Sequence, residues 1–88
     1  MITIRLTQPA YICDGDYRLP HSVEVVWGPY YRASAKDDNG GVYDVVWSID
    51  DMDAVRAGDE GSACDWANPV AVVDIDNNAE ITGYKLVL

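Results

Sequence analysis

The sequence contains no phenylalanine. Aromatic packing therefore falls to three Trp and six Tyr, each with an N–H or O–H that needs a partner once buried. Cysteine occurs only as Cys13 and Cys64, too few for a disulfide framework. Nothing in their placement indicates a bridge, so both thiols read as free, partly buried and held in a reducing compartment. No apolar run approaches the roughly 20 residues of a membrane span. The start, Met1-Ile2-Thr3-Ile4-Arg5, lacks the basic segment and continuous apolar stretch of a secretion signal. A cytoplasmic protein with no membrane partner is expected.

Cations are scarce as well. Six Lys and Arg oppose fifteen Asp and Glu, for a net charge of −9. The six, Arg5, Arg18, Arg32, Lys36, Arg56 and Lys85, are scattered along the chain and make no patch. Direct binding to nucleic acid or to an anionic membrane is disfavoured on charge alone. A basic partner surface or a cation is attracted instead. The same Asp-rich, Lys-poor composition also serves solubility or a saline cytoplasm.

Groups for chemistry are equally few. The lone histidine, His21, lies between Pro20 and Ser22. No nucleophile elbow, oxyanion-hole glycine pattern or third triad member accompanies it. The chain is too short to enclose a deep cleft that would separate the pKa values of two carboxylates. No catalytic residue is expected. Cys13, His21 and Cys64 supply at most three zinc ligands, without Cys-x-x-Cys spacing. Residues 74 to 82 resemble the first nine positions of an EF-hand loop, with Asp74, Asp76 and Asn78 at the first ligand positions and Ile81 at the apolar one. They depart from it at Ala79, where the loop needs Gly, and at Lys85, where it needs a bidentate Glu. A hairpin turning at Asn77-Asn78 explains the same residues. No metal and no cofactor are therefore expected.

Eighty-eight residues make a single domain, 1–88, that buries about 60–65% of its unfolded surface. Ile2, Ile4 and Leu6 alternate with polar residues as in a half-buried strand, which Pro9 ends. Residues 11 to 21 read as an irregular connection with a turn at Asp14-Gly15-Asp16. Alternation resumes at Ser22, placing Val23, Val25 and Trp27 on one face, and Gly28-Pro29 interrupts it as a bulge or kink. Tyr31, Ala33 and Ala35 carry the pattern to the loop 37–41, a hairpin signal. A two-residue turn at Asn39-Gly40 would set Arg32, Ser34 and Lys36 on the face of Tyr43, Val45 and Trp47. A five-residue loop pairs Lys36 with Val42 and aligns Tyr31, Ala33 and Ala35 with that face instead; this register buries apolar groups and is preferred. Glu24-Val25-Val26-Trp27 is echoed by Asp44-Val45-Val46-Trp47.

After Ile49 the period changes. Ser48 and Asp51 have capping-box spacing, Met52 and Val55 lie three apart, and Gly58 follows Arg56. These predict a short helix near 51–57, docked through Met52 and Val55. Ser62 and Asp65 repeat the spacing, so 62–67 reads as one more turn, stopped at Asn68-Pro69. A two-residue turn at Asn77-Asn78 pairs Asp76 with Ala79 and sets Val73 and Ile75 on the face of Thr82, Tyr84, Leu86 and Leu88. The expected class is α+β: a small four- to five-stranded antiparallel sheet, from hairpins 22–49 and 70–88, with one short helix near 51–57.

Charge concentrates at the end of the central strand. Asp50, Asp51, Asp53, Asp59, Glu60 and Asp65 face a single cation, Arg56. Carboxylates spaced along a helix and its loops imitate a run of phosphates and compete with nucleic acid for Lys and Arg. Trp66, and Tyr30-Tyr31 beside Arg32, supply the aromatic anchors that interfaces favour; Trp66 reads equally as a core or lid residue. The expected function is a small, acidic, non-catalytic protein-binding module. In its narrower form it is a nucleic-acid mimic that docks on a basic surface of a nucleic-acid-binding enzyme. Small acidic phage proteins that block restriction or CRISPR enzymes act this way; the likeness is one of size and charge, without a shared motif. The alternative is a structural or assembly subunit. There the edge strands 2–6 or 82–88 pair with a second copy and acidity only keeps the chain soluble, so the chain is either a monomer or a homodimer.

Overall fold

The computed structural model describes residues 1–88. The strands are β1 (Ile2–Leu6), β2 (Tyr11–Cys13), β3 (Tyr17–Arg18), β4 (Val25–Val26), β5 (Tyr30–Asp37), β6 (Val42–Ser48), β7 (Ala71–Asp74), β8 (Ala79–Glu80) and β9 (Tyr84–Val87). One short helix, α1 (Met52–Arg56), and a 3-10 turn over Glu60–Ser62 connect β6 to β7. The class is α+β-like, mostly sheet with one short helix, but the sheet is larger than the sequence pattern indicates. Seven strands join in the order β8-β7-β6-β5-β1-β9, with β2 also on β5, while β3 and β4 form a separate ribbon. Nor is it purely antiparallel: β9 runs parallel to β1, Ile2 opposite Tyr84 and Arg5 opposite Val87.

The β5–β6 hairpin is the frame. Its register pairs Lys36 with Val42, Ala33 with Val45 and Tyr31 with Trp47, as the five-residue loop requires. Asp37 closes that loop: its carboxylate accepts from the backbone N–H groups of Asn39 and Gly41, each at 2.8 Å, and from the Tyr43 hydroxyl at 2.7 Å. These three donors hold the Asp37 carboxyl below its ordinary range, the Tyr43 hydroxyl contributing most. β1 and β2 share the other side of β5, pairing with opposite ends of it. The break between them holds Pro9, which has no N–H to give a ladder.

Alternation along β5 and β6 sends side chains to two cores. The first gathers Ile4, Tyr31, Ala33, Ala35, Tyr43, Val45, Trp47 and Val72, and is covered by Ala54, Ala63 and Cys64 from the α1 region. The second gathers Tyr30, Val46, Ala71 and Val73 under Leu19. Residues 14–29 form an arm over this second face, with Tyr17 and Val26 packed against it. The expected strand 22–27 is corrected here. Only Val25–Val26 pair, with Tyr17–Arg18, so hairpin 22–49 shortens to Tyr30–Ser48. Val23 and Trp27 point to solvent, 99% and 72% exposed. Gly28-Pro29 breaks the strand, and a side chain at Gly28 would collide with the carbonyl of Gly15. The arm folds back so tightly there that only glycine fits.

Hairpin 70–88 is also corrected. Asp74, not Asp76, faces Ala79. The Asp74 carboxylate accepts from the backbone N–H of Asn77 at 3.2 Å and from its amide at 2.7 Å, which holds the wider turn. β8 ends at Glu80, and the chain crosses to the far edge to pair with β1. Ile75 is exposed, Val73 lies in the second core, and Tyr84 and Leu86 pack on the first. The proposed common face of Val73, Ile75, Tyr84, Leu86 and Leu88 therefore does not form.

Candidate functional site

The acidic stretch leaves β6 and returns as a closed loop. The backbone N–H groups of Asp50 and Asp51 both donate to the Ala63 carbonyl, at 2.8 and 3.1 Å. Helix α1 starts inside this loop at Asp51, which replaces Ser48 as the cap. Its Oδ1 accepts from the N–H groups of Asp53 and Ala54, at 3.0 and 3.1 Å, satisfying two donors that a helix start otherwise leaves unpaired. A cap at Asp51 leaves room for only five helical residues, and Gly58, at φ 76°, follows their end. Ala54 is the buried docking residue, with Val55 half-buried against the first core and Met52 only partly covered. The second turn begins at Glu60 rather than Ser62, and its preceding residue, Asp59, makes no side-chain cap.

All six acids of the stretch are exposed, but they are not equivalent. Asp51 is engaged as the cap, Asp53 pairs with Arg56 at 2.9 Å, and Asp65 accepts from the Asn68 amide at 2.9 Å. The carboxylates of Asp50, Asp59 and Glu60 make no hydrogen bond or ion pair within the chain. The negative field reaches inward. Burial first, and then the charges of Asp50 and Asp65, push the Cys64 thiol up to about 11. Tyr31 is raised by burial first and by Glu60 second.

Trp66 is half-buried and closes the first core. Its ring lies 4.9 Å from that of Tyr31 and 5.1 Å from that of Trp47, both in tilted or edge contact. Its Nε1 donates to the Glu60 carbonyl at 3.0 Å, and its own carbonyl accepts from Trp47 Nε1 at 3.0 Å. The indole is therefore fixed from both sides, with only its outer part available to a partner. Tyr30 and Tyr31, expected as further anchors, are buried on opposite faces of the sheet, 5% and 2% exposed.

Sequence reasoning missed one cluster. Asp44, 5% exposed, accepts from Arg32 Nη2 at 2.7 Å and from the Tyr17 hydroxyl at 2.9 Å. The guanidinium carbon lies 5.4 Å from the Tyr17 ring centre. Burial works against the Arg32 charge, but the Asp44 carboxylate outweighs it and the guanidinium holds its proton more tightly. The signal was present in the register: Arg32 faces Val46 and Ser34 faces Asp44, which makes Arg32 and Asp44 diagonal neighbours on one face. This cluster joins the arm to the sheet.

No group of three or more His, Cys, Asp or Glu side chains is placed to hold a metal ion. No helix is long and apolar enough to cross a membrane. No protein-family model, curated protein or solved structure matches this chain.

Proposed function

We propose that the chain is a small, non-catalytic protein-binding module that docks its Asp50–Asp65 loop on a basic protein surface. In its narrower form it is an inhibitor that imitates nucleic acid and occupies the binding face of a nucleic-acid enzyme. One observation carries this reading. Along residues 50–65, six exposed carboxylates meet one cation, and those of Asp50, Asp59 and Glu60 make no hydrogen bond or ion pair within the chain. Charges of one sign gathered on a small rigid loop steer a basic partner and lose their pull as salt rises.

The test uses the triple variant Asp50→Lys, Asp59→Lys, Glu60→Lys. Immobilised wild-type chain should capture basic proteins from host extract at low salt, and duplex DNA should release them. The triple variant should capture none while its thermal unfolding stays nearly unchanged. Capture that survives the reversal, or that DNA does not compete away, refutes the reading.

A second reading, assembly with another copy, rests on β9. β1 is covered by β5 on one side and β9 on the other, so the expected edge 2–6 is unavailable. β9 is the terminal strand of the sheet and has a free outer edge. Concentration-dependent dimerisation in sedimentation, abolished by a proline at Leu86, supports this reading; a monomer at all concentrations removes it.

A further inference from the structure

Beside the acidic loop lies a hollow of about 320 Å³. Its walls are apolar: Leu6, Pro9 and Ala10 from the β1–β2 break, Leu88 from the C-terminus, and the Trp66 ring. Glu60 is the one charged residue at its lining. It stands beside the ring because Trp66 Nε1 holds its carbonyl. We propose that this hollow receives one arginine side chain of the basic partner, the guanidinium stacking on Trp66 and pairing with Glu60. This rests on the reading that the loop faces a basic surface, and it names the residue that anchors there.

The chemistry selects the occupant. A purely apolar anchor would take water from Glu60 and return no charge, which is costly. A small hydrated cation would gain nothing from apolar walls. Arginine satisfies both requirements, because its aliphatic stem lies along apolar surface while its head stays polar. Its planar, weakly hydrated guanidinium stacks on an indole better than an ammonium does. The ring is already immobilised by Tyr31 and Trp47, so little ordering entropy is lost on binding. The neighbouring free carboxylates of Asp50 and Asp59 add attraction at longer range.

The experiment titrates isotope-labelled protein with oligoarginine and oligolysine peptides of equal length at low salt. Oligoarginine should shift the Trp66 indole N–H and the methyl signals of Leu6, Ala10 and Leu88. It should bind roughly ten-fold more tightly than oligolysine. Gly61 also lines the hollow, and a Cβ there would meet nothing nearer than Asp59 Oδ1 at 3.9 Å. Gly61→Phe thus adds a ring at the hollow's lining without a clash and keeps every carboxylate, and it should reduce oligoarginine toward the oligolysine level. Glu60→Gln, which keeps the shape, should lose most of the arginine preference. Equal binding of both peptides, unaffected by Gly61→Phe, overturns the hollow and leaves the acidic docking reading standing. Failure of both peptides to bind wild type at low salt removes the docking reading and the hollow together.

Discussion

Two four-residue segments carry nearly the same letters and end in opposite environments. In Asp44-Val45-Val46-Trp47 every residue is buried, Trp47 to 1% exposure. In Glu24-Val25-Val26-Trp27 the valines are half-buried and Trp27 is 72% exposed. Residues 44–46 are paired on both sides, with β5 and with β7, and Trp47 with β5, and each face of that strand is covered by a core. Residues 25–26 pair only with the two residues of β3. Alternation sets which residues share a face; the neighbouring strands decide whether that face meets protein or water.

The largest expected difference between the two segments lies at the tryptophans. Trp47→Ala should cost about 3–5 kcal/mol, a large share of the ~5–15 kcal/mol that holds a domain together. It also leaves Trp66 without its edge contact. Urea unfolding should show the variant largely unfolded or its midpoint sharply lowered. A loss below about 1 kcal/mol would mean the first core does not depend on the central strand.

The acids come next. Asp44→Ala strands the Tyr17 hydroxyl and the Arg32 guanidinium, and should cost about 1–3 kcal/mol. The low end applies if Arg32, whose side chain keeps 34% exposure, recovers hydration. Asp44→Asn keeps an acceptor for Tyr17 and should cost less. Glu24→Ala, at an exposed position whose side chain bonds nothing, should leave the midpoint unmoved. If Glu24 and Asp44 prove equivalent, the arm is not joined to the sheet through Asp44.

The contrast also marks what could be read from the sequence. The β5–β6 register was legible because a wrong register would have buried Arg32 and Lys36. The helix site was legible from the change of period and from Gly58. The cap was misplaced because Ser48 and Asp51 both have capping chemistry, and only the Ala63 carbonyl, which holds the Asp50 and Asp51 N–H groups, fixes where the helix starts. β9 was misread because pairing with β1 joins opposite ends of the chain, and no local pattern encodes it. At the site, the six acids were visible as letters. Trp66 could be read as an anchor or as a core or lid residue, and the choice between them depends on Tyr31 and Trp47 meeting beneath it.

A smaller effect is expected at Tyr17, which ties the two segments together by pairing with Val26 and donating to Asp44. Tyr17→Phe should cost about 1 kcal/mol, and much less in an Asp44→Ala background. The phenol is raised above the ordinary tyrosine range by burial first and by its bond to Asp44 second. The folded chain therefore keeps a proton that the unfolded chain loses above about pH 10. That contribution is complete below this pH and is lost as the pH climbs through the folded value. Tyr43, pushed up to about 12 by its bond to Asp37 and by burial, acts in the same sense. Unfolding midpoints should thus fall on the alkaline side, less steeply in Tyr17→Phe. An unchanged slope would show that burial and Asp44 together do not raise the Tyr17 phenol.

The smallest expected effect sharpens the comparison most. Trp27→Ala removes an exposed ring and should change stability by no more than about 0.5 kcal/mol. A stability change alone would not show where the ring sits, so iodide quenching supplies the second readout. Trp47 is shielded and Trp66 half-covered, so Trp27 should contribute most of the readily quenched emission, and the variant should lose that component. A cost well above 1 kcal/mol would mean the arm packs Trp27 inward, and the two segments would then share an environment as well as a pattern. With stability unchanged and the quenched component gone, four similar letters hold two different positions only because one strand has neighbours on both sides.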